Sequence, residues 1–344
     1  MTIMTDKTQR LIPDWAWALL AVAMIALTLM LFRTDRRPEP GPALLYDVSE
    51  HEAVADEDIR YRETARIPLA IERPMGLAVD RDGRLFIVGD NTLLTLDAAG
   101  RETARHHLDD TAHGVAVAPD GVVYLGMRDH VAVFTGADTP IAAWESLGER
   151  AWVTAIAADE RHVFVADAGN KQVLRYDHAG LLLGTIDGQD GEERAYGFIV
   201  PSQYFDLALD GMGALWIVNP GKLGVEKYRP DGTRLGVWHQ PGFSVDAFPG
   251  CCNPIHIAVK SDTSLVAAEK GINRIKTFAA DRSFAGVVAS PEWLNTGWNA
   301  AELPADLAPV RDLAVDGDDR VLALHGPLRA VLVFERLADE KDTN

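Results

Sequence analysis

Residues 76–88 read GLAVDRDGRLFIV, and the same phrase returns as GVAVAPDGVVYLG (114–126), TAIAADERHVFVA (154–166), DLALDGMGALWIV (206–218), HIAVKSDTSLVAA (256–268) and DLAVDGDDRVLAL (312–324). In each version an apolar strand alternates with smaller residues, turns at a D-G or related pair, and resumes as a second apolar strand, which is the signature of a β-hairpin. The copies begin 38, 40, 52, 50 and 56 residues apart. That period predicts one four-stranded propeller blade per copy, and six copies predict an all-β six-bladed β-propeller over residues 60–337.

Working outward, the longer intervals hold extra segments at 188–200, 241–250 and 291–306, each placed before the first strand of a blade. Inserts at equivalent positions fall on one face of a repeat architecture, frequently the binding face. The last copy supplies only three strands, ending near VLVFERL (331–337), while RETARIPLAI (62–71) precedes the first copy and matches the fourth-strand segment GRETARHHL (100–108). The N-terminal strand is therefore expected to complete the last blade, closing the ring without a long open edge.

Residues 163–180, VFVADAGNKQVLRYDHAG, resemble the NHL repeat, in which an apolar strand leads to D-x-G-N and a basic strand ends in an aromatic residue, Asp and Gly. Residues 265–284, with Glu269 in the Asp position, and residues 85–100 are further copies. FPGCCNPIHIAV (248–259), followed by AEKGINRIK, is similar to a membrane-anchored bacterial subset of NHL-repeat proteins carrying a GCCNP motif. The resemblance implies the six-bladed fold. NHL-like propellers include protein-binding, RNA-binding, lactone-hydrolysing and lyase members, so function must be sought in the site.

Before the repeats, residues 15–32 (WAWALLAVAMIALTLMLF) run eighteen positions without a charge, long enough to cross a bilayer as a helix. Trp15 and Trp17 sit where an interfacial belt would place them, and no small-x-small cleavage site directly precedes Arg33. The expectation is a flank (1–14), a single transmembrane helix (15–32), a Pro-rich then acidic linker (33–59), the propeller, and a disordered acidic tail (338–344). Basic residues on both sides of the helix leave its orientation open, and the propeller is expected in the periplasm, anchored to the inner membrane.

The 344 residues carry 33 basic and 51 acidic side chains, a net charge of −18. Residues 1–37 hold five basic and three acidic groups, so the remainder carries −20. A nucleic-acid partner is excluded by that balance, since phosphate contact needs a basic stripe. Hydrolase elbows, zincin motifs and phosphate-binding glycine loops are absent from the sequence.

The residues just ahead of and opening each innermost strand should face the mouth of the central channel. They include His113, Trp152, Tyr204, Asp206, His256, Arg311 and Asp312, a set suited to a small polar or anionic ligand. The alternative for Asp206 and Asp312 is turn capping or pairing with Arg311. Cys251 and Cys252, four or five residues before His256, have three readings: a vicinal disulfide shaping the site, a thiolate pair for a soft metal ion, or two small buried hydrophobes. No other metal site and no cofactor is expected, and no catalytic residue is assigned. The functional expectation is a ligand- or protein-binding module, serving a redox or metal-handling system. The alternative is a lyase or lactonase-like hydrolase with His113 or His256 as base and Arg311 holding an oxyanion.

Overall fold

A computed structural model describes residues 13–34, 48–136, 139–189, 197–299, 303 and 307–338. Two units are present, 1–47 and 48–344. The first contains a helix, α1 (Asp14–Thr34). Its side chains are described only at residues 15–26 and 28, and among the described residues no helix is long and apolar enough to cross a membrane. The side chains of the span expected over 15–32 are therefore described only in part, and residues 35–47 of the linker and nearly all of the acidic tail lie outside the described residues.

The second unit is a six-bladed β-propeller of six four-stranded antiparallel sheets. The first blade is β2 (Pro74–Val79), β3 (Leu85–Gly89), β4 (Thr92–Leu96) and β5 (Glu102–His107). The second holds β6 (Gly114–Val117), β7 (Val122–Gly126), β8 (Val131–Thr135) and β9 (Thr139–Ala143), and the third β10 (Val153–Ala158), β11 (Val163–Asp167), β12 (Gln172–Tyr176) and β13 (Leu182–Ile186). The fourth is β14 (Leu207–Leu209), β15 (Leu215–Asn219), β16 (Gly224–Tyr228) and β17 (Arg234–His239). The fifth is β18 (His256–Val259), β19 (Leu265–Ala268), β20 (Ile275–Phe278) and β21 (Phe284–Ala289). The last runs β22 (Val310–Val315), β23 (Val321–His325) and β24 (Ala330–Arg336), and its outer strand is β1 (Tyr61–Pro68), which pairs antiparallel with β24 from Tyr61–Arg336 to Pro68–Ala330. The first and last strands of the propeller thus share one sheet, which closes the ring.

The hairpin turns follow from the D-G phrase. Asp80 accepts hydrogen bonds from the backbone N–H of Asp82 and Arg84, and Gly83 takes φ +77°, which a glycine adopts without cost. Asp97 and Asp210 close their turns in the same way. Second strands are buried on both faces, β3, β11 and β15 throughout, which explains their unbroken apolar character.

The core lies between blades. One apolar cluster fills each of the six gaps: Phe86, Leu93, Val115 and Leu125 join the first blade to the second, and Ile87, Leu94, Leu324 and Val333 join the last to the first. Leu174 packs with Tyr124 across the second gap, and Phe164 with Leu215 across the third. A ring assembled this way has a hole at its axis, and the innermost strands wall it.

Candidate functional site

That hole is a cavity of about 280 Å³, lined by the innermost strands of all six blades. Its deeper wall is apolar, made by Val79, Val117, Ala158, Leu209, Val259 and Val315. At the opposite end the strand-opening residues change the chemistry. His113, Trp152, Tyr204, Asp206, His256, Arg311 and Asp312 all line this cavity, together with Met75, Gln203 and Leu307. Arg311 is the one Lys or Arg among the described lining residues.

Asp206, His256 and Asp312 form its polar centre, with one ligand-type atom from each lying within 4.8 Å of the others. His256 Nδ1 stands 3.5 Å from Asp206 Oδ2 and 4.0 Å from Asp312 Oδ1. The carboxyls also hold the ring of blades together. Asp206 accepts the N–H of Leu207 (2.8 Å) and, across the gap, that of Ile257 on β18 (2.8 Å). Asp312 accepts from Leu313 (2.8 Å) and from Leu77 on β2 (2.7 Å). Each side chain sits at the start of an innermost strand because only there does a short carboxyl reach both its own next amide and the neighbouring blade. Both carboxyls thus bridge neighbouring blades while still facing the cavity.

Charge crowding makes this centre proton-active. Burial, with the Asp206 charge beside it, pushes Asp312 up to about 7, and His256 opposes the shift. His113 is held below its ordinary value by burial, with Asp110 acting the other way. The His113 ring packs on Trp152 at 5.2 Å between centroids, and the Arg128 guanidinium lies 5.9 Å from the Trp152 ring. Tyr204 stands edge-on to His256 at 5.7 Å and accepts the N–H of Ala308 at its hydroxyl (2.8 Å). The Asp206, His256 and Asp312 trio offers hard ligands for a cation, although all four carboxyl oxygens already accept a backbone N–H.

Cys251 and Cys252 lie outside the cavity lining. They are free thiols, with sulfurs 3.2 Å apart, well beyond the bonded distance of about 2.05 Å. The vicinal disulfide expected from their adjacency is thus not formed in this structure, and only Cys252 is buried. Trp293 and Trp298 anchor the insert that carries them: Trp293 Nε1 donates to Glu63 and Trp298 Nε1 to the Leu294 carbonyl (both 2.8 Å).

Gln203 and Leu307 were not anticipated at the cavity. Gln203 precedes Tyr204 by one residue, just outside the window set by the repeat, and Leu307 follows the 291–306 segment, three residues ahead of β22.

Fold and channel together define a six-bladed β-propeller with a polar-mouthed axial cavity. Neither a protein-family model nor a curated relative matches the sequence. Among solved structures, the chain is similar to a streptogramin B lyase, with TM-score 0.54 and 12% identity over 82% of this chain and 100% of the other. It is also similar to virginiamycin B lyase from Staphylococcus aureus, with TM-score 0.55 and 11% identity over 81% and 100%. Likeness at that identity is a likeness of fold.

Proposed function

We propose that the protein is a membrane-anchored, NHL-type propeller that binds a small polar or anionic ligand at its channel mouth. The observation that carries this reading is the convergence of His113, Trp152, Tyr204, Asp206, His256, Arg311 and Asp312 from separate blades on one cavity. Aromatic walls, one guanidinium and a set of hydrogen-bonding groups above an apolar floor are the composition of a small-molecule site. Anchoring is supported by the uncharged run at 15–32, and a periplasmic propeller by the acidity of residues 38–344, which repels anionic lipid.

Thermal unfolding of the detergent-purified full chain against citrate and glucuronate, with glucose as the neutral probe, tests the site. Binding at a hundredfold over Kd adds about 2.7 kcal/mol and raises Tm. The reading expects a rise with an anionic probe that Arg311→Ala and His256→Ala abolish, and a rise that survives both substitutions overturns it. An alkaline phosphatase fusion after residue 338 tests topology: activity is expected, and its absence reverses the orientation.

A second reading, lyase-type catalysis in the channel, is favoured by His256 standing between two carboxyls, one of which carries a proton near neutral pH. The fold shared with the lyases suggests the first substrate to try. Consumption of virginiamycin B, followed by mass spectrometry and lost in His256→Ala, supports this reading; no consumption rejects that substrate.

A further inference from the structure

The cysteine pair sits in a loop held more tightly than its position in an insert suggests. Asn253, next in the chain and almost fully buried, donates from Nδ2 to the carbonyls of Pro249 (2.8 Å) and Lys270 (3.1 Å) and accepts the Lys270 N–H at Oδ1 (2.9 Å). Ile255 N–H then joins the Ala268 carbonyl (2.9 Å), fixing the loop to β19. The two sulfurs are left on one side of a braced turn, 3.2 Å apart, with Cys251 exposed and Cys252 behind it. Ser202 and Lys270 are the polar groups that act on Cys252. Lys270 Nζ also lies 5.1 Å from the Tyr204 ring, so the pair flanks the channel mouth without entering it.

Geometry selects what such a pair can chelate. A structural zinc ion needs four ligands in a tetrahedron, and this loop offers two sulfurs. A two-coordinate soft cation wants its sulfurs on opposite sides. With bonds of about 2.3 Å, sulfurs 3.2 Å apart subtend about 90° at a shared centre. That angle belongs to a pyramidal, three-coordinate centre, the geometry of trivalent arsenic or antimony, whose softness matches thiol sulfur. We propose that Cys251 and Cys252 form a bidentate dithiol site for a thiophilic trivalent metalloid.

The step is a condensation without oxidation or reduction. With an arsenoxide, R–As=O plus two R′–SH gives R–As(SR′)₂ and water: two S–H bonds and the As–O bonding are replaced by two As–S bonds, and both thiol protons leave on the oxygen. Burial and the Cys251 hydrogen bond push the Cys252 thiol up, against Ser202 and Lys270. The site shares no lining residue with the channel cavity and stands or falls independently of the ligand reading above.

Phenylarsine oxide added to the reduced, desalted full chain tests it, with intact mass and maleimide labelling as readouts. The chain has only two cysteines, so the count is direct. Expected are one phenylarsenic per chain at equimolar reagent, loss of both maleimide-reactive thiols, and release by ethanedithiol but not by the same concentration of a monothiol. Cys251→Ser, at an exposed position, should raise the reagent concentration needed by at least a hundredfold. Two arsenicals per chain, unprotected thiols, or an unchanged adduct in Cys251→Ser overturns the proposal. Cadmium ions that displace the arsenical at equal concentration overturn the choice of a trivalent centre.

Discussion

Two arcs of the same ring wall the channel by different means. Through the first three blades the innermost strands open on Gly76, Gly114 and Thr154, and the blades meet backbone to backbone. A Cβ at Gly76 would lie 3.1 Å from the Gly114 Cα, and one at Gly114 would lie 3.2 Å from the Ala155 Cα. Through the last three blades the openings are Asp206, His256 and Asp312, and side chains span the gaps that the first arc closes by contact. Most buried ionisable groups follow the same division, Asp167 on β11 of the third blade being the exception. The fourth blade buries Glu226 among Asn219, Tyr228, Lys222, Arg234 and His239; the fifth buries Glu269 with Arg274 and Lys276; the last buries His325. Close contact leaves no room for chemistry, whereas bridging by carboxyls leaves polar atoms facing the cavity, so the site lies toward the second arc.

The largest effect expected from breaking this contrast is at Glu269. Its carboxylate lies 2.8 Å from both Arg274 Nε and Lys276 Nζ, all three groups being essentially inaccessible. Burial already lowers Lys276 to about 8. Glu269→Ala leaves two buried cations without their anion and should cost about 4 kcal/mol in urea unfolding. Next comes Asp206→Ala, which orphans the amides of Leu207 and Ile257 and should cost about 3 kcal/mol, while leaving the first arc's hydrogen exchange unchanged. In the first arc the failure mode is opposite. Gly114→Val should cost about 2 kcal/mol by overpacking, because the nearest atom is backbone and cannot rotate away.

Last comes a pH dependence carried by two carboxyls of the second arc. Asp312 has a folded pKa raised to about 7 from an ordinary 3.8, so its contribution is fully present below about 4 and is lost as pH rises through 7. For Glu226, burial alone would raise the carboxyl, but hydrogen bonds from His239, Tyr228 and Asn219 with the Lys222 charge outweigh it and hold it at about 2. That contribution is present above 4.5 and is lost as pH falls through 2. Between pH 5 and pH 8 the Asp312 effect therefore acts alone of these two: wild type should lose stability in urea unfolding as pH rises across that range, and Asp312→Asn, which has no carboxyl to ionise, should lack that slope.

Much of this was legible from the repeated phrase. Period, turn chemistry and strand count pointed to six blades, and the match of 62–71 to 100–108 pointed to the shared last blade, because these are local signals that recur at fixed spacing. Alignment of the copies also brought seven of the nine candidate residues to one cavity. The cysteines departed from expectation because adjacency brings sulfurs near one another without setting their bond or their side of the loop. Gln203, Leu307, Glu269 and His325 could not be ranked from sequence: the first two lie outside the positions that the repeat aligns, Glu269 meets Arg274 and Lys276 within its own hairpin, and His325 reaches the Leu294 carbonyl on an insert.

What the sequence determined by itself is the blade, since alternation and the D-G turn are properties of some dozen consecutive residues. Only the tertiary structure decided which arc would be backbone and which would be side chain, and hence where polar atoms remain to meet a ligand. Residues as far apart as Leu77 and Asp312 become neighbours only when the ring closes, and the desolvation that moves the Asp312 proton exists only inside that ring.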